Sequence, residues 1–350
     1  MGQNGTIFDY KNTRNGMFSI TYSEGDFCIN NKCEFIFENI IFQNFNNFGD
    51  KLLSPFQIIT EVMNFRLDFQ NCIFRNNRAI LLKYLKTSEC PSLNKYSLVN
   101  VENCHFENNK DNLFYLVLKY FASNMKINLC QNLVLKNSTF FNNENITILQ
   151  SGKFIIDDCI FKDNKGKINE AHASLIDSIG NGNQVIIKNS KIFNNFMDED
   201  IPLILIKISN LIMENCSIIN SYSGANHLFK IEHSNSIIVN NTIFEGTSTV
   251  FNSLNSEITI DDSMFKNYSI MNSFPLVDSG ENSSLLKINT NERKNSEVNV
   301  ENLKIYSCQS NGPLIKFNGI ENRIFIKSSD IYENIAYGPL IENSSKQVIL

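Results

Sequence analysis

Paired carboxylates are the residues of this sequence best suited to acid–base chemistry. Asp157 and Asp158 form one pair, and Asp261 and Asp262 form a second pair. Two carboxyl groups can act as general acid and general base on a glycosidic bond. Both pairs, however, fall at the same place in a repeated phrase, which favours a structural corner role over catalysis.

The histidines do not show the spacing of metal ligands. The chain has four of them, which are His105, His172, His227 and His233. Zinc sites usually combine His and Cys at short, regular separations, and no such combination occurs here. We therefore predict no metal site, no cofactor site and no catalytic residue from these side chains.

The nine cysteines form no tight disulfide framework, and their number is odd. Cys28 could close a small loop with Cys33, Cys90 could join Cys130, and Cys308 is left over. The other four share one column of the repeat and are expected to be buried small side chains: Cys72, Cys104, Cys159 and Cys216. The cysteines therefore do not indicate whether the protein works in an oxidising or a reducing compartment.

One repeated phrase identifies the elements that hold these residues. It appears as FRLDFQNCIFRNN from Phe65, VNVENCHFENN from Val99 and FIIDDCIFKDN from Phe154. A central polar anchor marks each of eleven copies, spaced 21 to 40 residues apart. The anchors are Asn39, Asn71, Asn103, Asn137, Asp158, Asn189, Asn215, Asn241, Asp262, Asn302 and Ser328.

The apolar residues around each anchor indicate two strands joined by a bend. The residues four and two before it and three after it are apolar in every copy, as with Leu67, Phe69 and Phe74 around Asn71. A period of two predicts strands, and the change of phase at the anchor requires a bend. Asn and Asp tolerate the left-handed backbone of such a bend, and their stacked amides could form a ladder.

A third apolar segment follows in each copy, as in AILLKYL from Ala79, FPLVDS from Phe274 and GPLIKF from Gly312. Three short strands per copy predict an all-β fold, a single-stranded right-handed parallel β-helix of about 11 coils. We expect one domain over residues 1–350, a segment of a longer protein, with a loop insertion at about 279–296. A leucine-rich-repeat horseshoe is less suitable, because its motif lacks the inward Phe after the Asn.

The outward column of this third strand has mixed charge. It is predicted to contain Lys83, Tyr115, Asp177, Leu205, Lys230, Asn252, Asp278, Lys316 and Glu342. Mixed charges are typical of a solvated face, on which Asp278 and Lys316 are expected to pair across coils.

Composition excludes two classes of partner. The net charge is −5 with both signs scattered, so no basic stripe is present to bind nucleic acid. No apolar run reaches the ~18 residues of a membrane span, and the first residues are unlike a secretory signal. The partner is unknown at this stage, with carbohydrate or another surface protein as the candidates.

The phrases N-C-x-F-x-N-N and G-P-L-I resemble those of pectin-lyase-like right-handed β-helix proteins. The likeness is strongest to polymorphic outer-membrane-type repeats and to large protist surface proteins, and a content of 55 Asn also suggests a protist. The resemblance implies an extracellular or cell-surface location within a longer, membrane-anchored chain.

Polygalacturonases of this fold carry N-T-D, paired Asp, G-H-G and R-I-K motifs, of which only the paired Asp occurs here. We therefore predict that the chain is not an enzyme but a non-enzymatic scaffold, or an adhesion or binding module, of a larger cell-surface protein. The alternative is a polysaccharide-binding or polysaccharide-cleaving β-helix, similar to pectate lyases or polygalacturonases. Its groove would follow the face of the third strands and their loops.

Overall fold

The chain folds into three long parallel sheets, A, B and C, which enclose one continuous apolar core. A computed structural model describes residues 5–22, 33–47, 53–60, 65–86, 97–111, 113–118, 131–145, 148–150, 152–166, 175–180, 182–197, 201–223, 227–247, 250–267, 284–290, 296–310, 312–319, 322–336 and 338–344. Within these ranges every element is a strand, and no helix is long and apolar enough to cross a membrane.

Each coil contributes one strand to sheet C, then one to sheet A, then one to sheet B. Sheet C contains Cys33–Glu38, Phe65–Gln70, Ser97–Glu102, Gln131–Lys136, Lys153–Asp157, Gln184–Lys188, Asn210–Glu214, Ile237–Asn240, Ile258–Asp261, Ser296–Glu301 and Asn322–Lys327. Sheet A contains Thr6–Thr13, Ile40–Phe45, Ile73–Arg75, His105–Glu107, Thr139–Phe141, Ile160–Lys162, Lys191–Phe193, Ser217–Ile219, Ile243–Glu245, Met264–Lys266, Lys304–Tyr306 and Asp330–Tyr332.

Sheet B is built from the third strands of the coils. It contains Phe18–Tyr22, Phe56–Thr60, Leu82–Lys86, Phe114–Leu118, Ile148–Gln150, Ile176–Ile179, Ile204–Lys207, Phe229–Glu232, Phe251–Leu254, Leu286–Asn289, Ile315–Asn318 and Ile341–Asn343. Two small sheets lie after sheet A, with strands Lys165–Gly166, Phe196–Met197, Tyr222–Ser223, Gln309–Ser310 and Ile335–Ala336. The prediction of an all-β parallel β-helix is thereby confirmed.

Stacked aromatic rings fill the shaft beside sheet A. Phe74, Phe106, Phe140 and Phe161 occupy the same position in successive coils, and neighbouring ring centroids are 4.5 to 4.7 Å apart. All four side chains are buried. A single coil cannot bury its apolar face alone, so stacking on its neighbours is what stabilises it.

Left-handed bends turn the chain around this core at two recurring places, and some coils have a third bend after sheet B, as at Ile208, His233 and Asn255. All eleven anchors have φ between 45° and 56°. A second series lies at the ends of strands of sheet A, as at Asn76, Asn108 and Asn142, where φ is 50° to 56°. The strand between the two bends therefore sends one apolar side chain inward and its two neighbours outward.

The anchor conformation leads to a testable expectation at Asn103, where φ is 53°. Asn103→Val is expected to lower the free energy of unfolding by about 1–2 kcal/mol, because a branched side chain is strained there. Asn103→Gly should be nearly neutral, since glycine adopts this conformation freely. Urea unfolding measures both, with Asn100→Val on the adjacent strand as the control. Equal losses for the two valine variants would contradict the expectation.

One predicted third strand is wrong. The coil after Phe251–Leu254 uses Leu286–Asn289 as its strand of sheet B, not the segment FPLVDS from Phe274. Both segments have suitable apolar residues, so the pattern alone could not choose between them. Part of the insertion predicted at about 279–296 is therefore a strand of sheet B, and Asp278 lies outside the described residues.

Candidate functional site

The paired carboxylates lie at corners and take part in bonds between coils. Asp157 accepts a hydrogen bond from Asn189 Nδ2 at 2.8 Å, and Asp261 accepts one from Asn302 Nδ2 at 3.2 Å. Asp158 and Asp262 are in the left-handed bends themselves. The structural role of these four carboxylates stays a prediction.

The histidines are scattered over the molecule. His105 is on the outside of sheet A, 3.3 Å from Glu107 Oε2, and His233 occupies a bend. His227 is buried, and this burial, with the nearby charge of Lys287, lowers the pKa of its imidazole to about 3. His172 lies outside the described residues. Within the described residues no three His, Cys, Asp or Glu side chains are grouped as metal ligands.

The cysteine column is buried where the sequence places it. Cys72, Cys104, Cys159 and Cys216 are thiols that take part in no disulfide, and burial raises the pKa of Cys159 to about 12. The pairings of Cys28 with Cys33 and of Cys90 with Cys130 involve residues that the structure does not describe. These pairings stay predictions.

The corner anchors form only short runs of side-chain bonds. Asn215 Nδ2 donates to Asn189 Oδ1 at 3.2 Å, and Asn241 Nδ2 donates to Asn215 Oδ1 at 2.7 Å, all on the exposed surface. A longer amide ladder is buried at the second bend, and sequence reasoning missed it. Its members, joined in order by Nδ2 to Oδ1 bonds of 2.9 to 3.0 Å, are Asn77, Asn109, Asn143, Asn164 and Asn195. The signal was the second Asn of an N-N pair in four coils and Asn164 after Asp163 in the fifth.

The outer face of sheet B carries a row of lysines, which we call the lysine face. Its outward columns run over five consecutive strands, from Ile204–Lys207 to Ile315–Asn318. The residues of these columns are Leu205, Lys207, Lys230, Glu232, Asn252, Leu254, Lys287, Asn289, Lys316 and Asn318. Four ammonium groups thus lie on one face within about four coil spacings of ~4.8 Å each.

Sequence reasoning placed Lys230, Asn252 and Lys316 in this column but missed Lys287. The strand Leu286–Asn289 puts Lys287 between Asn252 and Lys316, where Asp278 had been expected. A basic residue therefore replaces an acidic one in the middle of the face. The expected partner of Lys316 also changes, since its Nζ is 3.4 Å from Glu342 Oε1.

A shallow depression lies at the centre of the lysine face. It has a volume of about 150 Å³ and is lined by Lys230, Ile231, Glu232, Asn252, Leu254, Lys287 and Asn289. Ammonium groups and side-chain amides together bind anionic groups and hydroxyl groups. The depression is therefore lined by hydrogen-bond donors, with the carboxylate of Glu232 as an acceptor among them.

Two carboxylates partly neutralise this face, Glu342 beside Lys316 and Glu232 beside two other lysines. Glu232 Oε2 is 2.9 Å from Lys207 Nζ, and Glu232 Oε1 is 3.2 Å from Lys230 Nζ. Partial burial raises the pKa of Glu232, but hydrogen bonds from the two lysines outweigh that effect, so its pKa is lowered overall. The side chain is consequently ionised at neutral pH.

Comparison with known proteins finds no family. No protein-family model matches the chain, and no curated protein sequence matches it significantly. The outer-membrane-type likeness thus has no support from a family model.

Two solved structures are similar to the chain. One is the Azotobacter vinelandii mannuronan C-5 epimerase AlgE4 A-module, at 11% identity and a TM-score of 0.28, over 96% of this chain and 82% of that one. The other is a PL6 alginate lyase in complex with a trisaccharide, at 10% identity and a TM-score of 0.28, over 100% and 89%.

The prediction that the chain is not an enzyme is withdrawn, because it rested on the absence of polygalacturonase motifs; the two similar structures are named as an epimerase and a lyase. The absence of polygalacturonase motifs excludes the machinery of that one group and nothing more. With no family established, the chain is a parallel β-helix that carries a lysine face on the outside of sheet B.

Proposed function

We propose that the chain is a polysaccharide-active β-helix protein that binds an anionic polysaccharide along the lysine face. The observation that supports this proposal is the set of lysines on the outside of sheet B, which are Lys207, Lys230, Lys287 and Lys316. They follow the axis of the helix, so an extended chain laid along that axis contacts Lys207, Lys230 and Lys287, whereas Lys316 is only 9% exposed. The proposed site lies on the third-strand face where a polysaccharide groove was predicted.

Physical chemistry favours a polymer over a small anion on this face. The depression is shallow and open, so a single sugar would bury little surface there. A polymer binds more tightly than a single sugar, because after its first contact each further contact forms within the same complex. Asn252 and Asn289 add amide groups that can hydrogen-bond with hydroxyls between the charged positions.

A panel of polymers tests the proposal. Polygalacturonate and alginate are expected to bind in a titration calorimeter, whereas neutral dextran is not, because only the first two carry carboxylates for the lysines. Affinity should fall as salt rises, since exposed ion pairs are screened. Binding of dextran as tight as that of polygalacturonate, or no binding of either acidic polymer, would contradict the proposal.

The same incubations test for chemistry. Unsaturated ends that absorb in the ultraviolet would identify a lyase, new reducing ends without that absorption a hydrolase, and a changed uronate composition an epimerase. A cell-surface location stays a prediction.

A further inference from the structure

Glu232 occupies the lysine face as an internal anion. Each of its carboxylate oxygens contacts a different lysine, Lys207 at 2.9 Å and Lys230 at 3.2 Å. Lys207 comes from the preceding coil, and Lys230 from the same strand as Glu232. The Glu232 side chain is 16% exposed, against 41% and 51% for the two lysines, so the lysines remain accessible while the carboxylate is largely covered.

One ion pair on sheet C has a simpler arrangement. Lys188 Nζ on sheet C is 2.8 Å from Glu214 Oε2, which joins one lysine to one carboxylate between adjacent strands. This pair joins two adjacent strands of sheet C. Glu232, by contrast, lines the depression together with Lys230 and Lys287.

We infer that Glu232 is a built-in competitor that sets the selectivity of the lysine face for densely charged polymers. The inference rests on the proposed function and concerns the regulation of the same site. A ligand carboxylate that binds Lys207 or Lys230 has to displace part of an existing ion pair. A single carboxylate exchanges one contact for another, with little net gain.

The affinity of a polymer with closely spaced carboxylates is reduced less by Glu232. Such a polymer also contacts Lys287 and the amides of Asn252 and Asn289, and these contacts raise the effective concentration of its other carboxylates beside Glu232. A polymer whose carboxylates are mostly methyl-esterified lacks this advantage. Glu232 therefore weakens the binding of monomers and sparsely charged chains more than that of densely charged chains.

The substitution Glu232→Gln tests the inference, because it removes the charge and keeps the shape of the side chain. The probes are galacturonate monomer, polygalacturonate, and pectin with about half of its carboxylates methyl-esterified. We expect the variant to bind the half-esterified pectin about tenfold more tightly than the natural chain does, with a smaller gain for polygalacturonate. The salt dependence of binding should become steeper, because two lysines lose their internal counter-ion.

Glu214→Gln is the matched control, since it removes a carboxylate that pairs with one lysine on sheet C. Its affinities should equal those of the natural chain. The inference is wrong if the natural chain binds polygalacturonate but Glu232→Gln does not bind half-esterified pectin more tightly, or if Glu214→Gln gains equally. If the natural chain and both variants bind no acidic polymer, the proposed function fails as well. Misfolding cannot imitate the expected result, because the expected result is a gain of affinity.

Discussion

Replacing Phe140 with alanine is expected to lower the free energy of unfolding by about 3–5 kcal/mol. The Phe140 ring lies between those of Phe106 and Phe161, with centroids 4.7 and 4.5 Å away and planes within 7° of parallel. Its side chain is fully buried, so the substitution removes apolar contacts and leaves a cavity in the middle of the shaft. Urea unfolding followed by circular dichroism measures the loss.

Phe141→Ala is the control for this prediction, because Phe141 is the next residue and points outward from the same strand. It is only half-buried, and its ring lies 5.6 Å from Lys162 Nζ. We expect it to lose about 1 kcal/mol or less. If Phe140→Ala costs no more than Phe141→Ala, then Phe140 is not in the core and the inward assignment of the whole column is wrong.

Asn143→Ala is expected to destabilise the chain by about 2 to 6 kcal/mol. The backbone N–H and Nδ2 of Asn109 both donate to Asn143 Oδ1, at 2.9 and 3.0 Å. Asn143 Nδ2 in turn donates to the Phe106 carbonyl and to Asn164 Oδ1, both at 3.0 Å. Because these groups are buried, each donor that loses its acceptor costs about 1–3 kcal/mol.

The matched substitution is Asn132→Ala, at a half-buried outward position on sheet C. It should change stability by no more than about 0.5 kcal/mol, because water can solvate the groups around it. Urea unfolding of both variants tests whether the amide ladder holds the coils together. A loss under about 1 kcal/mol for Asn143→Ala would show that the ladder contributes little.

The fold could be predicted from the sequence because its strongest signal is local. The column that contains Leu67, Phe69 and Phe74 repeats with period two on either side of one anchor, and every one of these side chains is buried. Such a pattern tells which side of a strand faces inward without knowledge of the distant contacts. The bend at Asn71, with φ of 54°, also depends mainly on the residue itself.

Membership of the buried amide ladder depends instead on which residue of the turn takes the left-handed backbone conformation. Asn76 and Asn77 look equivalent in the sequence, yet Asn76 takes the left-handed bend and Asn77 points into the core. The difference arises because the bend reverses the direction of the next side chain. Hydrophobic periodicity does not show this change of direction, because both residues of the turn are polar.

The lysine face was recognised only in part, because one strand was assigned to the wrong segment. Placing Asp278 in the column made the charges look mixed, whereas Lys287 makes the middle of the face basic. Two apolar segments compete for that coil, and the choice depends on contacts with Phe251–Leu254 and Ile315–Asn318. Contacts between coils, and not local preference, therefore decide the chemistry of the site.

Charge reversal on two faces tests the central claim most directly. The variant Lys230→Glu with Lys287→Glu alters the lysine face, and Lys153→Glu with Lys188→Glu makes the same change in charge on sheet C. Titration of each with polygalacturonate at low salt should show about a hundredfold loss of affinity for the first variant and little change for the second. Equal losses for both would mean that net charge alone governs binding, and the lysine face would then not be the site.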